Sequence, residues 1–357
     1  MSVSSRIENL RSQFSTADID SILISMPENR RYLSGFSGSA GYLLVSTSDA
    51  VLATDFRYIE QSGQQAPDYR IHRIGGNTGW IAELASEMNV SRIGFESDHL
   101  TVASLSDFEK ALAERDDDGS TSLIPTTGIT EIMRAVKDAN ERKLLERAIQ
   151  IADDALARVA SAIEPGMTEK QVAWDIEKAM RDLGAESNAF DIIVGAGPNG
   201  ALPHHRADDT VIQPGDPVVI DMGATYAGYR SDLTRTFCIG QPDDRFQQIY
   251  DTVLGAQVAA EQAARPGMTG AEVDAIARDY ISDAGYEEYF GHGLGHGVGL
   301  AIHERPRVIQ SSEDVLENGM IFTIEPGIYI PGWGGVRIED IVVLEGGTTT
   351  VLSQSPK

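Results

Sequence analysis

Cysteine is nearly absent. Cys238 stands alone in 357 residues, so no intramolecular disulfide can form. Lysine is scarce too, limited to Lys110, Lys137, Lys143, Lys170, Lys178 and Lys357. Bases number 29 against 54 acids, a net charge of -25. A chain of that sign repels phosphate backbones and anionic lipid, which excludes nucleic acid and membrane surfaces as partners. No apolar run approaches transmembrane length. The first residues lead into an amphipathic helix and not into the apolar segment of a secretory signal. The expected location is cytoplasmic. Concentrated salt screens self-repulsion, so an acidic, lysine-poor chain also suits a halophilic source.

What is present begins with a carboxylate pair that occurs twice. Val218-Val219-Ile220 runs into Asp221, and Asp232 follows after a Gly-containing turn. Phe322-Thr323-Ile324 runs into Glu325, and Glu339 follows in the same way. An acid closing an apolar run is unexpected for a solvated charge. If residues 216–222 and 229–238 form an antiparallel hairpin, Asp221 and Asp232 face each other about a centre at Tyr226-Ala227. The midpoint of Glu325 and Glu339 is Gly332, inside a Pro/Gly-rich turn. Four clustered carboxylates need a counter-charge, and two divalent cations supply it.

The duplication extends to the helices. Pro-Gly-Met-Thr occurs at Pro165–Thr168 and again at Pro266–Thr269, each time opening a helical pattern that closes on a glycine, Gly184 or Gly285. Helix followed by acid-bearing hairpin therefore appears twice, which predicts two pseudo-symmetric halves with the site between them. Upstream, Ile22–Ile24, Tyr42–Val45, Ala50–Ala53 and Ser91–Phe95 read as strands, and Ile59–Gln65, Ile81–Glu87 and Leu105–Ala113 as helices. Asp116–Ser120 reads as a surface loop. The expected organisation is an α/β domain over residues 1–128 and an α+β domain over residues 137–357, opened by a long helix capped at Asp138 with Glu141 three residues on.

Three of the seven histidines, His292, His296 and His303, share one glycine-rich segment that cannot be a helix. One imidazole added to an oxygen-rich set points to Mn, Co, Fe or Zn over Mg or Ca. The other two would donate hydrogen bonds to a substrate or oxyanion. His204 and His205 lie in a loop before the first acid-bearing strand, within reach of the same place. His72 and His99 read as structural.

The segments HGLGHGVGLAIHERP, TIEPGIYIPGWGGVRIED and VVIDMGATYAGYRSDLTRTF together resemble the M24 metallopeptidases of the pita-bread fold. ALPHHRADD before the first acid is similar to the Xaa-Pro branch, prolidase and aminopeptidase P. RYLSGFSGSAGYLLV and ATDFRY resemble the creatinase-type N-terminal domain. The resemblance spans nearly the whole chain. It implies Asp221, Asp232, His296, Glu325 and Glu339 as ligands of two divalent ions per subunit. Mn²⁺ or Co²⁺ is expected, with Fe²⁺ or Zn²⁺ also compatible. Glu325 would act as the base, and His204 and His303 would steady the tetrahedral intermediate. His292, His303, Arg337 and Phe190 would contact the substrate. Leu294 stands where the family more often has Thr or Ile.

The implied activity is cleavage of the bond preceding proline in a small peptide, as an Xaa-Pro dipeptidase, with an Xaa-Pro aminopeptidase as the alternative. A creatinase-like hydrolase would not keep the metal ligands, a methionine aminopeptidase lacks the N-terminal domain, and the intact ligands weigh against a binding module. Related enzymes of this layout imply a homodimer.

Overall fold

A computed structural model describes residues 2–115 and 121–357; the loop read at Asp116–Ser120 lies outside them. The chain divides into two units, Met1–Met133 and Arg134–Lys357.

In the first unit, six strands form one sheet in the order β4-β3-β2-β1-β5-β6. They are β1 (Ser21–Ile24), β2 (Tyr42–Ser46), β3 (Ala50–Thr54), β4 (Arg70–Arg73), β5 (Arg92–Glu96) and β6 (Ser122–Thr126). The β1–β2 and β2–β3 pairs are antiparallel, and the other three pairs are parallel. Helices α1 (Val3–Ser12), α2 (Phe14–Ala17), α3 (Pro27–Ser34), α4 (Ile59–Gln65), α5 (Trp80–Met88) and α6 (Val102–Arg115) accompany it, and α7 (Ile129–Ala135) follows. The strands and helices read from periodicity are all there. The two unread strands are the sheet edges. β4 is Arg-Ile-His-Arg and β6 carries Pro125; an edge needs neither a continuous apolar face nor every N–H.

The second unit opens with α8 (Ala139–Ala160), whose start is a reciprocal cap between Asp138 and Glu141. Its buried face is Leu145, Ile149, Ala152, Leu156 and Val159. The repeat is plain in the helix starts. α9 (Glu169–Asp182) is capped by Thr168 with Gln171, and α11 (Gly270–Asp283) by Thr269 with Glu272. Gly184 and Gly285 take positive φ just past the two helix ends, where a side chain would be strained. Between the repeats runs α10 (Asp244–Ala263).

Each half has its own core. Val172, Ile176 and Met180 of α9 pack with Val218 and Ile220. Val273, Ala277 and Ile281 of α11 pack with Phe322 and Ile324. In the first half, β7 (Ser187–Asn188), β10 (Ala224–Tyr226) and β11 (Tyr229–Arg230) form one small sheet, and β8 (Ile193–Ala196), β9 (Pro217–Met222) and β12 (Leu233–Cys238) another. In the second half, β13 (Gly295–Gly297), β14 (Glu304–Val308), β15 (Ile321–Ile324), β18 (Asp340–Glu345) and β19 (Thr348–Val351) form a five-stranded sheet beside the β16 (Gly327–Ile330)–β17 (Gly334–Arg337) ribbon.

The second hairpin is centred where its turn residues indicate. Ile324 lies opposite Asp340, and Gly327 opposite Arg337. That register is continuous through Glu325 and Glu339, which oppose each other about Gly332. The first hairpin is shifted from its expected centre. Tyr226 pairs with Tyr229, and Asp221 faces Thr234 and not Asp232. Ala227 and Gly228 form the turn with φ of 47° and 79°, the mirror-image geometry that matches strand twist in two-residue hairpins. The shift is two residues in pairing, so Asp232 remains on the face of Thr234 and Asp221.

Candidate metal centre

Asp221 is the fifth residue of β9, Asp232 precedes β12, Glu325 follows β15, and Glu339 sits between β17 and β18. His296 lies mid-β13, where the pairing with β14 slips between His296 and Gly297. The flanking glycine is obligatory: a Cβ on Gly295 would stand 2.0 Å from the Thr323 carbonyl oxygen. Glycine there lets the histidine strand lie against the strand that ends in Glu325.

The five side chains predicted to act together are brought together. His296 Nε2 is 3.2 Å from Glu325 Oε1 and 3.7 Å from Asp232 Oδ2. Ligand atoms of Asp232, His296 and Glu339 lie within 4.8 Å of one another. Asp232 and Glu339 are buried, at 6% and 1% exposure. Burial, then the charge of Glu339, pushes Asp232 well above the usual carboxylate range. Burial, then Glu325 and Asp221, does the same to Glu339. Burial also raises Asp221, against the pull of Arg337. Burial would raise Glu325 as well, but its hydrogen bond to His296 and the charge of that ring hold it at about 2.

Two buried oxygens, Asp221 Oδ1 and Glu339 Oε1, have no hydrogen-bond partner among the described residues. Buried acceptors normally find one. The four acids thus outnumber the two cationic side chains beside them, Arg337 and His296, and the donor set is oxygens plus one imidazole. His296 completes the fit: its Nδ1 donates to the Gly297 carbonyl at 3.1 Å, so that Nε2, on losing its proton, offers the lone pair a metal requires. The residues fit divalent cations.

Supporting contacts surround the acids. Thr234 Oγ1 donates to Glu339 Oε2 at 2.8 Å, and Thr323 Oγ1 to Glu325 Oε1 at 3.1 Å. Asp274 accepts from the Leu294 N–H and pairs with Arg278, which donates to the His292 carbonyl. Sequence reading missed Thr234, Thr323, Tyr329, Asp274 and Arg278. Only Thr234 and Thr323, each two residues from a site acid on a strand, carried a signal, the period-2 sharing of a face.

Two residues expected to contact the substrate are held by partners within the chain. Arg337 is 3% exposed and donates to Asp221 Oδ2 at 2.6 Å, Tyr329 Oη at 2.8 Å and Thr234 Oγ1 at 3.1 Å. It is the fixed cation of the buried acid cluster. His292 has both ring nitrogens engaged: Nδ1 donates to the Gly293 carbonyl at 2.7 Å, and Nε2 accepts from Tyr329 Oη at 2.8 Å. Burial lowers its pKa, in keeping with a neutral ring in that relay.

His303 does lie beside the cluster, its ring centroid 4.3 Å from that of His296 with the planes at 79°. Burial, then the charge of His296, lowers its pKa, and His204 is near enough to oppose its protonation as well. His204 is exposed. His205 turns away from the cluster to Glu169, its Nε2 2.7 Å from Oε2. The Phe190 ring packs against the Gly223 backbone, two residues past Asp221; a Cβ on Gly223 would meet it at 3.0 Å.

Comparison with known proteins shows the family. Residues 143–345 match the model of metallopeptidase family M24, and residues 6–136 that of the creatinase/prolidase N-terminal domain. An uncharacterised peptidase of Bacillus subtilis is 42% identical over 99% of this chain and 98% of its own. An Xaa-Pro dipeptidase from Bacillus anthracis superposes with a TM-score of 0.95 at 45% identity, covering 100% of this chain and 99% of its own. An X-Pro aminopeptidase from Thermotoga maritima gives 0.88 at 36% identity, covering 98% of both chains. None of the described helices is long and apolar enough to cross a membrane.

Proposed function

The chain belongs to metallopeptidase family M24, and on that premise we propose that it is an Xaa-Pro dipeptidase, hydrolysing the peptide bond before a proline in a small peptide. One observation carries the reading: a cluster of four acids around His296 with two buried, unpartnered oxygens. The likeness to the Bacillus anthracis dipeptidase over the full chain supports the substrate class.

Asp221, Asp232, His296, Glu325 and Glu339 hold two divalent ions in this reading. Four carboxylates and one imidazole favour Mn²⁺ or Co²⁺, with Fe²⁺ or Zn²⁺ also compatible. When bound, two such ions supply Lewis acidity and a nucleophile at neutral pH. The remaining chemistry belongs to the chain. Glu325 takes the proton of the attacking water. His303 and His204, at the exposed side of the cluster, donate to the oxygen that becomes negative in the tetrahedral intermediate. Arg337 holds Asp221 in place from behind. Phe190 supplies an apolar wall beside β9. Such a wall suits a ring whose nitrogen has no hydrogen to offer once acylated. The protein works as a homodimer in the cytoplasm, and light scattering of the purified protein tests the first of these.

An aminopeptidase acting on longer peptides is the second reading, favoured by the likeness to the Thermotoga maritima enzyme. Purified protein loaded with Mn²⁺ and offered Ala-Pro and Ala-Pro-Gly-Gly distinguishes them. Turnover of the dipeptide at least tenfold faster is expected, and preference for the tetrapeptide rejects the dipeptidase reading. Asp232→Ala and Glu325→Ala should fold and lack both activities.

A further inference from the structure

The two helix starts of the repeat differ in chemistry at the first helical residue, Glu169 against Gly270. Thr168 and Thr269 cap α9 and α11 by the same reciprocal bonds. Thr168 bridges Val211, and Thr269 bridges Val315. The next backbone N–H donates to the Thr210 carbonyl at 3.1 Å in the first half and to the Asp314 carbonyl at 2.9 Å in the second. In the second half that residue is Gly270, where a Cβ would fall 1.9 Å from the Arg307 carbonyl oxygen. In the first half it is Glu169, with 0% exposure. The helix start therefore forms without a carboxyl group at its first position, and the buried acid answers to something else.

A buried carboxylate persists when hydrogen bonds replace its water. Glu169 has four. Its Oε1 accepts from the Ala196 N–H at 2.8 Å and Asn199 Nδ2 at 3.0 Å. Its Oε2 accepts from His205 Nε2 at 2.7 Å and the Asp208 N–H at 3.1 Å. These donors are spread along residues 196–208, the segment that leaves β8 and carries His204. One side chain fastens both ends of that segment and the residue next to His204. Glu169, His205 and Asp208 also fall within metal-ligand distance of one another. With N–H donors already aimed at both Glu169 oxygens, the group is a clamp and not a cation site.

We infer that Glu169 is a positioning residue for His204, holding the 196–208 segment so that this imidazole is presented to the reacting carbonyl. The inference rests on the role proposed above for His204.

A double-mutant cycle on the metal-loaded protein with Ala-Pro tests it. His204→Ala should lower kcat about a hundredfold, as loss of an oxyanion donor does. Glu169→Gln should lower kcat about tenfold through misplacement, with KM and bound metal unchanged. Glu169→Gln added to His204→Ala should cost nothing more. Losses that multiply, or loss of metal in Glu169→Gln, overturn the inference alone. Where Glu169→Gln does not fold, His205→Gln, which disturbs one of the four bonds, carries the same cycle with a loss of about threefold. Full activity in His204→Ala overturns the role of His204 and the inference together, and no Ala-Pro cleavage by the unaltered protein overturns the proposed activity with both.

Discussion

Removing divalent ions should loosen the second unit by an amount the site itself sets. Asp221, Asp232 and Glu339 are all pushed upward by burial and mutual repulsion, so without cations the fold holds protons that the unfolded chain would release. A ligand at 100 times its Kd stabilises a native state by about 2.7 kcal/mol, and two independent ions by roughly 5 kcal/mol. For a unit of this size each kcal/mol moves the melting temperature by about 2–4 °C, so chelation should lower it by roughly 10–20 °C. The sign with pH follows from the same groups. An acid with a raised folded-state pKa contributes its full stability below the ordinary carboxylate range, and that contribution is lost as pH rises through the raised value. Metal-free protein is therefore penalised most at neutral pH. Protons also compete with metal for the same oxygens. The gap between loaded and chelated protein should shrink steadily from pH 7.5 to pH 5 in scanning calorimetry. Coincident scans at pH 7.5, or a gap that widens on acidification, would refute the reasoning.

Further predictions concern parts of the fold away from the acids. Ala227 occupies the left-handed region at φ 47°, so Ala227→Asn, creating the favoured Asn-Gly turn, should stabilise by about 0.5–1 kcal/mol in urea unfolding; a destabilised variant would contradict the turn assignment. Burial raises the pKa of Glu96 despite its bonds from Asn29, Met26 and Ser25. Its contribution is complete below the ordinary glutamate range (about 4.3) and fades above it. The wild type should thus lose stability relative to Glu96→Gln as pH rises from 4 to 8, and a constant difference would be the wrong outcome. With a net charge of -25, molar KCl should raise the melting temperature by a few degrees, and indifference to salt would remove the halophilic reading.

Much of the centre was legible because its chemistry is local. Asp221 and Glu325 each terminate an apolar run, and the turn about Gly332 declares its own centre. The first hairpin was misplaced because its turn lacks an Asn-Gly or Asp-Gly pair, and an alanine accepts the left-handed geometry in their stead. The edge strands β4 and β6 were invisible because edges tolerate charge and proline. Arg337 and His292 carried no mark of their true partners. Asp221 is 116 residues from Arg337, and Tyr329 is 37 from His292, contacts that only the folded chain creates. The Glu169–His205 pair is of the same kind, because a helix-start acid ordinarily reads as dipole complementarity on the surface.

The most direct test is anomalous diffraction from crystals soaked in Mn²⁺, recorded near the manganese edge. Two strong peaks per chain, flanked by Asp221, Asp232, His296, Glu325 and Glu339, are the predicted result. A single peak among them, or density at Glu169, His205 and Asp208 in their place, would contradict a two-ion centre built from these five side chains.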